Sequence, residues 1–120
     1  MASGFRQVVL DEIFRRLPDF LDQRKARGVA LTVGFRLLGN PSGEIERYVV
    51  RVRDGRALVE TGDAGEERDA TVTCQGHDYL RLATGHLNPV VGLLKGTLKV
   101  RGDKAKALQL SSIIDFPTAR

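Results

Sequence analysis

Cys74 and His77 are the first pair in this chain whose residue types could do chemistry, as a thiol nucleophile and its base. Such a pair needs a thiolate of lowered pKa and a third group to orient the imidazole. Cys74 instead ends the alternating run Ala70-Thr71-Val72-Thr73-Cys74, on its apolar side, where cysteine behaves as a small hydrophobe. No third group is in view. His77 and His86 could bind a metal, but two histidines and one cysteine are the chain's whole stock and their spacing is not that of a zinc site. Both histidines fall at expected helix ends, where an exposed polar residue is ordinary. The segment Gly92-Leu93-Leu94-Lys95-Gly96-Thr97 has neither the spacing nor the strand-loop-helix order of a phosphate loop. Asp54, Glu60, Asp63 and Asp69 belong to turns and strand ends and form no carboxylate pair. No serine sits in a nucleophile elbow. The expectation is no catalytic residue, no metal and no cofactor.

Arg47, Arg51 and Arg53 make a basic stripe on one strand, and Arg24, Lys25 and Arg27 a second cluster. Single-strand nucleic-acid binders interleave such charge with aromatic stacking platforms. Tryptophan is absent and the stripe carries no aromatic, so it reads as a solvated sheet face, with no nucleic-acid partner.

At 120 residues the chain is one domain, 1–120, long enough to bury a core without disulfides. A hydrophobic fraction of 42% fits a globular protein. No apolar run spans a bilayer. Asp11, Glu12, Arg15 and Arg16 interrupt what would be the apolar core of a signal peptide, and the final residues match no peroxisomal or reticulum-retention signal. The lone Cys74 suits a reducing compartment, so a cytoplasmic location is expected. A formal net charge of +4 permits weak attraction to an anionic membrane.

The elements that would position any site follow from periodicity and punctuation. Val9, Ile13, Leu17 and Phe20 or Leu21 recur at helical spacing over Val8 to Leu21, with a kink or restart at Pro18. From Val29 to Leu38 the period becomes two. A second strand runs from about Ile45 to Arg53, with Tyr48, Val50 and Val52 on one face. Asp54-Gly55 is a hairpin signal leading into a third strand, Arg56 to Thr61, and a loop from Gly62 to Asp69 precedes a fourth, Ala70 to Cys74. Asp78 to Thr84 is a short helix ended by Gly85. Asn88 caps the next, with Pro89 at its first position and Gly96 at its end. Thr97 to Arg101 is a fifth strand, and Asp103 caps a last helix to about Ile114, stopped by Pro117. Hairpin-linked strands argue for an antiparallel meander of three or four strands, which the last strand joins by a crossover. The class is α+β, one sheet covered on one face by helices. The run from Asp78 to Leu110, specified for shape and poor in chemistry, suggests a container rather than a catalyst.

These residues also carry a resemblance. Ala83-Thr84-Gly85-x-x-Asn88-Pro89, then Lys95-Gly96-x-Leu98-x-Val100-x-Gly102-Asp103 and Ala107-Leu108-x-Leu110, are similar to the C-terminal half of the sterol carrier protein 2 (SCP2) family. Phe35, the Tyr48 to Gly55 hairpin, the Ala70-Thr71-Val72-Thr73 strand and the entry helix Ile13-Phe14-x-x-Leu17 fall in the family's order. The resemblance implies a five-stranded mixed, mostly antiparallel sheet covered on one face by four to five helices, with an apolar tunnel between the layers. It implies non-catalytic binding and transfer of a sterol, fatty acid, fatty acyl-CoA or phospholipid. Tyr48 stands where an animal carrier often places Trp, which changes the wall's size and polarity.

The expected lining of that tunnel is Phe35, Tyr48, Val50, Val72, Leu80, Ala83, Val90, Leu93, Leu94, Leu110 and Ile114, with the last helix as a displaceable lid. Lys95, Lys99, Arg101, Lys104 and Lys106 near the lid would meet an anionic membrane or the phosphates of a CoA head group. The alternative is an accessory module that holds an isoprenoid or polyketide-like intermediate, or a partner helix, within a biosynthetic complex.

Overall fold

The strand β1 (Leu31–Leu38) is buried along most of its length, so it needs a bonded neighbour on both edges and cover on both faces. In the computed structural model, which describes residues 2–62 and 68–116, it is the middle strand of five. The element order is α1 (Ala2–Arg16), a 3-10 turn (Leu17–Phe20), β1, β2 (Glu46–Arg53), β3 (Arg56–Thr61), β4 (Ala70–Gln75), α2 (Gly76–Ala83), α3 (Pro89–Lys95), β5 (Lys99–Gly102) and α4 (Lys104–Ile113). The sheet order is β3-β2-β1-β4-β5, antiparallel except between β1 and β4. This is the α+β architecture expected. The meander has three strands, the shorter of the two lengths expected; the crossover is corrected, because it delivers β4 and not the last strand. A hairpin can fill only one edge of β1, and β4 fills the other. Pro117 and Asp63, expected as a helix stop and an acidic loop residue, lie outside the described residues.

Local chemistry explains most boundaries. Asp54 and Gly55 take φ values of 53° and 74°, so the β2–β3 hairpin has the two left-handed central residues that match strand twist. The Asn88 carboxamide oxygen accepts from the amides of Val90 and Val91 at 2.9 and 3.2 Å, and Asp103 accepts from Lys106 at 3.1 Å. Each cap satisfies amides that an isolated helix start would leave unpaired. At Pro18 the first helix tightens into the 3-10 turn, which accommodates the missing amide without a free-standing kink.

The register lays one row of side chains across the helix-facing side: Tyr48 opposite Phe35, Phe35 beside Val72, and Val72 opposite Val100. Above the Tyr48 end, α1 inserts Phe14. Its ring stacks on Tyr48 at 3.9 Å and on Tyr79 at 4.6 Å, and meets Phe35 edge-on at 5.4 Å. That half of the interlayer space is filled. The far face of the sheet is less open than an arginine stripe suggested. Val49 is 1% exposed there, Arg51 pairs with Glu60 at 2.7 Å, and Arg68 lies so close over Gly34 that a Cβ would come within 2.5 Å of its guanidinium. Arginine side chains thus cover this face, with the Arg68 guanidinium lying over the middle strand.

Candidate functional site

Away from Phe14 the layers do not close. Between the β1-β4-β5 side of the sheet and helices α2, α3 and α4 lies a cavity of about 290 Å³. Phe35, Val72 and Val100 form its floor. Tyr79, Leu82 and Ala83 of α2, Leu93 of α3 with Pro89, and Ala107, Leu108, Leu110 and Ser111 of α4 form its walls. Leu17, Leu98, Ile114 and Phe116 complete them. Gly85 and Asp115 also border it and are exposed, so the space communicates with solvent there.

Its polar groups are few. The Ser111 hydroxyl donates to the Leu108 carbonyl at 2.7 Å, and Asp115 pairs with Lys25 at 3.4 Å. Among the described residues, no lysine, arginine or histidine borders the space.

The expected lining residues divide accordingly. Phe35, Val72, Ala83, Leu93, Leu110 and Ile114 come together around the cavity. Tyr48 and Val50 do not: both are buried in the filled half, and Tyr48 donates its hydroxyl hydrogen to Asp11 and accepts from Gln7 at 3.1 Å. Burial foremost, with the bond to Asp11 next, raises the Tyr48 phenol well above its ordinary range. Leu80 packs half-buried against the core on another side of α2. Val90 and Leu94 point away, 51% and 82% exposed. The reason is Gly92, whose missing side chain lets α3 press onto Leu98; a Cβ there would lie 2.9 Å from Leu98 Cγ. With that side inward, Val90, Val91 and Leu94 face out.

Tyr79, Leu82, Leu98, Val100, Ala107 and Leu108 were missed. Tyr79, Leu82 and Ala83 lie at helical i, i+3, i+4 spacing, a legible stripe that Leu80 falls beside. The last helix is also less free than a lid. Ile114 bridges to Leu21, the Asp115 amide donates to the Phe20 carbonyl at 2.8 Å, and the Asp22 amide donates to the Ile113 carbonyl at 2.8 Å. At its other end Lys106 Nζ donates to the Ala30 carbonyl at 2.9 Å.

Cys74 and His77 are not poised together. The His77 ring is 72% exposed and lies 3.4 Å from Asp78, whereas the Cys74 side chain is buried. Burial, then the Asp78 charge, pushes the thiol up to about 12. At pH 8 only about one molecule in ten thousand would be thiolate, against a substantial share for a free cysteine. Native protein should therefore react with a disulfide reagent at least about a hundredfold more slowly than the denaturant-unfolded chain. Equal rates would show an accessible, activated thiol. Among the described residues, no three histidine, cysteine or acidic side chains gather to hold a metal ion. No described helix is long and apolar enough to cross a membrane.

The SCP-2 sterol transfer family model matches residues 10–115. The chain belongs to that family. Sterol carrier protein 2 of Bos taurus is 30% identical over 115 residues, covering 93% of this chain and 20% of that protein. The chain thus spans about a fifth of the length of the sterol carrier protein 2 relatives it matches. Two solved structures share the SCP-2 fold. The solution structure of palmitated SCP2L2 from Aedes aegypti has a TM-score of 0.71 at 22% identity, covering 93% of this chain and 96% of that one. The sec-alkylsulfatase Pisa1 from Pseudomonas sp. has a TM-score of 0.72 at 22% identity, covering 85% of this chain and 16% of that one.

Proposed function

We propose that this SCP-2 domain binds and carries a hydrophobic ligand, a sterol, fatty acid, fatty acyl-CoA or phospholipid, in the cavity between sheet and helices, without catalysing a reaction on it. The observation that carries the reading is the unfilled apolar space of about 290 Å³ beside a half of the core that is packed ring on ring. The space opens to solvent at Gly85 and Asp115, so a lipid chain can enter it and replace water along its apolar walls. Burying roughly ten methylenes gains about 8 kcal/mol, so micromolar affinity is the upper bound before ordering costs. The palmitated Aedes aegypti relative supports an acyl chain as one occupant. A cytoplasmic setting belongs to the same proposal.

Native mass spectrometry and titration with a fluorescent fatty acid test it. Saturating ligand at a hundred times Kd is expected to add about 2.7 kcal/mol to stability, seen as a rise in melting temperature of several degrees. Absence of bound lipid in both measurements would overturn the carrier reading.

Delivery to an anionic membrane is the second part of the proposal. Val90, Val91 and Leu94 project from α3 beside the cavity-lining Pro89 and Leu93. From Tyr79 to Gly102 the sequence has no carboxylate but holds Arg81, Lys95, Lys99 and Arg101. An apolar knob within a cationic surround suits an anionic bilayer, at about 1 kcal/mol per basic residue near the surface. Leu94→Asp should leave melting unchanged and reduce co-sedimentation with phosphatidylserine vesicles about tenfold or more. Undiminished sedimentation would remove α3 from the docking surface.

A further inference from the structure

The chain has two tyrosines, and their hydroxyls have opposite fates. That of Tyr48 is spent on Asp11 and Gln7. Tyr79 is 2% exposed, lines the cavity, and makes no hydrogen bond to any described residue. Its ring is held by the Phe14 stack at 4.6 Å and by Phe35 edge-on at 5.6 Å, so it cannot easily swing out to find a partner. Burial raises the phenol's pKa further, so it stays protonated and able to donate. The oxygen has no described partner but is not sealed off, so an acceptor that enters the cavity can take its hydrogen. The other polar side chains bordering the space, Ser111 and Asp115, already have partners. Among the described residues, Tyr79 is therefore the one lining side chain with a hydrogen to give.

We propose that Tyr79 is the specificity-determining residue of this cavity, donating a hydrogen bond to the neutral polar end of the lipid. This rests on the carrier reading and narrows it. Among the described residues no cation borders the cavity to compensate a carboxylate, and an ionised group moved inside would lose its hydration without return. A free fatty acid therefore enters tail first and keeps its charge at the exposed rim, out of reach of Tyr79. A neutral hydroxyl or an ester carbonyl can go inward and accept. The favoured ligand class is a lipid alcohol, a sterol or a neutral ester.

The test uses the whole chain and Tyr79→Phe, which keeps the stacked ring. Displacement of a fluorescent fatty acid is measured with tetradecanol, tetradecanoate and tetradecane. The substitution is expected to weaken tetradecanol about five- to tenfold and to change the other two less than about twofold. The ligand-free variant is expected to melt at the same temperature or higher, because an unpaired hydroxyl has been removed. Equal effects on all three ligands, or on none, would overturn the role of Tyr79 while leaving the carrier reading intact. A lower melting temperature would overturn it also, by showing that the hydroxyl serves the fold. If none of the three displaced the probe from wild type, the carrier reading would fall with it.

Discussion

Ala107→Phe is expected to abolish most lipid binding while leaving the fold intact. Ala107 lies on α4, half-buried, with its methyl bordering the cavity. A phenyl ring at this position has room to enter, because the neighbouring volume of about 290 Å³ holds no protein atoms. Displacing only three methylenes of a bound chain forfeits about 2.4 kcal/mol, which is more than about thirtyfold in affinity. Core enlargements normally cost about 1–3 kcal/mol because they force strain on packed neighbours. Here the ring covers apolar surface that was uncovered, and the melting temperature should stay level or rise. Binding measured by fluorescent fatty-acid titration and stability by thermal denaturation separate the two effects. A variant that keeps its melting temperature and also binds as wild type would place the ligand elsewhere.

The second large effect is on stability. Phe14→Ala removes the ring that stacks on both Tyr48 and Tyr79 and touches Phe35, at a residue 1% exposed. Such truncations cost about 3–5 kcal/mol, and aromatic pairs add about 0.5–1.5 kcal/mol each beyond burial. The loss approaches the whole stability of an average domain. Denaturant titration should show the variant largely unfolded or with a midpoint reduced by half or more. A second consequence separates this from a generic core lesion. Phe14 lies behind the cavity-lining rings of Phe35 and Tyr79 and holds both, so in any folded fraction those walls can give way and accept a bulkier ligand than wild type does. A loss below about 1 kcal/mol would show that the stack is not what holds the layers together.

The elements were legible because their ends are written in single residues. Asp54-Gly55, Asn88-Pro89, Gly96 and Asp103 each perform the local task their chemistry suggests. The strand faces followed from alternation, which placed Phe35, Val72 and their row correctly. Two things could not be read this way. The parallel pairing of β1 with β4 depends on which edge of β1 remains open after the hairpin forms, a property of the assembled sheet. The division of apolar residues between packed core and cavity wall depends on where Phe14 lands. Tyr48 and Phe35 sit opposite each other on the same face, yet one lies under the ring and the other faces open space. Periodicity gives both the same value. On α3, Val90 and Leu94 read as inward because they are apolar, and only the contact of Gly92 with Leu98 turns them out.

The position of β1 between β2 and β4 also fixes an order of events during synthesis. β2 follows β1 directly along the chain, so the hairpin can pair as soon as it emerges. The residues of β4 are made only after β3 and its following loop. At about 5–20 residues per second, the other edge of β1 stays unpaired for on the order of seconds. That edge belongs to Leu31–Leu38, an apolar segment whose one charge is Arg36. A free strand edge of this kind is a template for the wrong neighbour. Changes that delay the arrival of β4 would thus lower the yield of folded chains even where the finished molecule is unaltered.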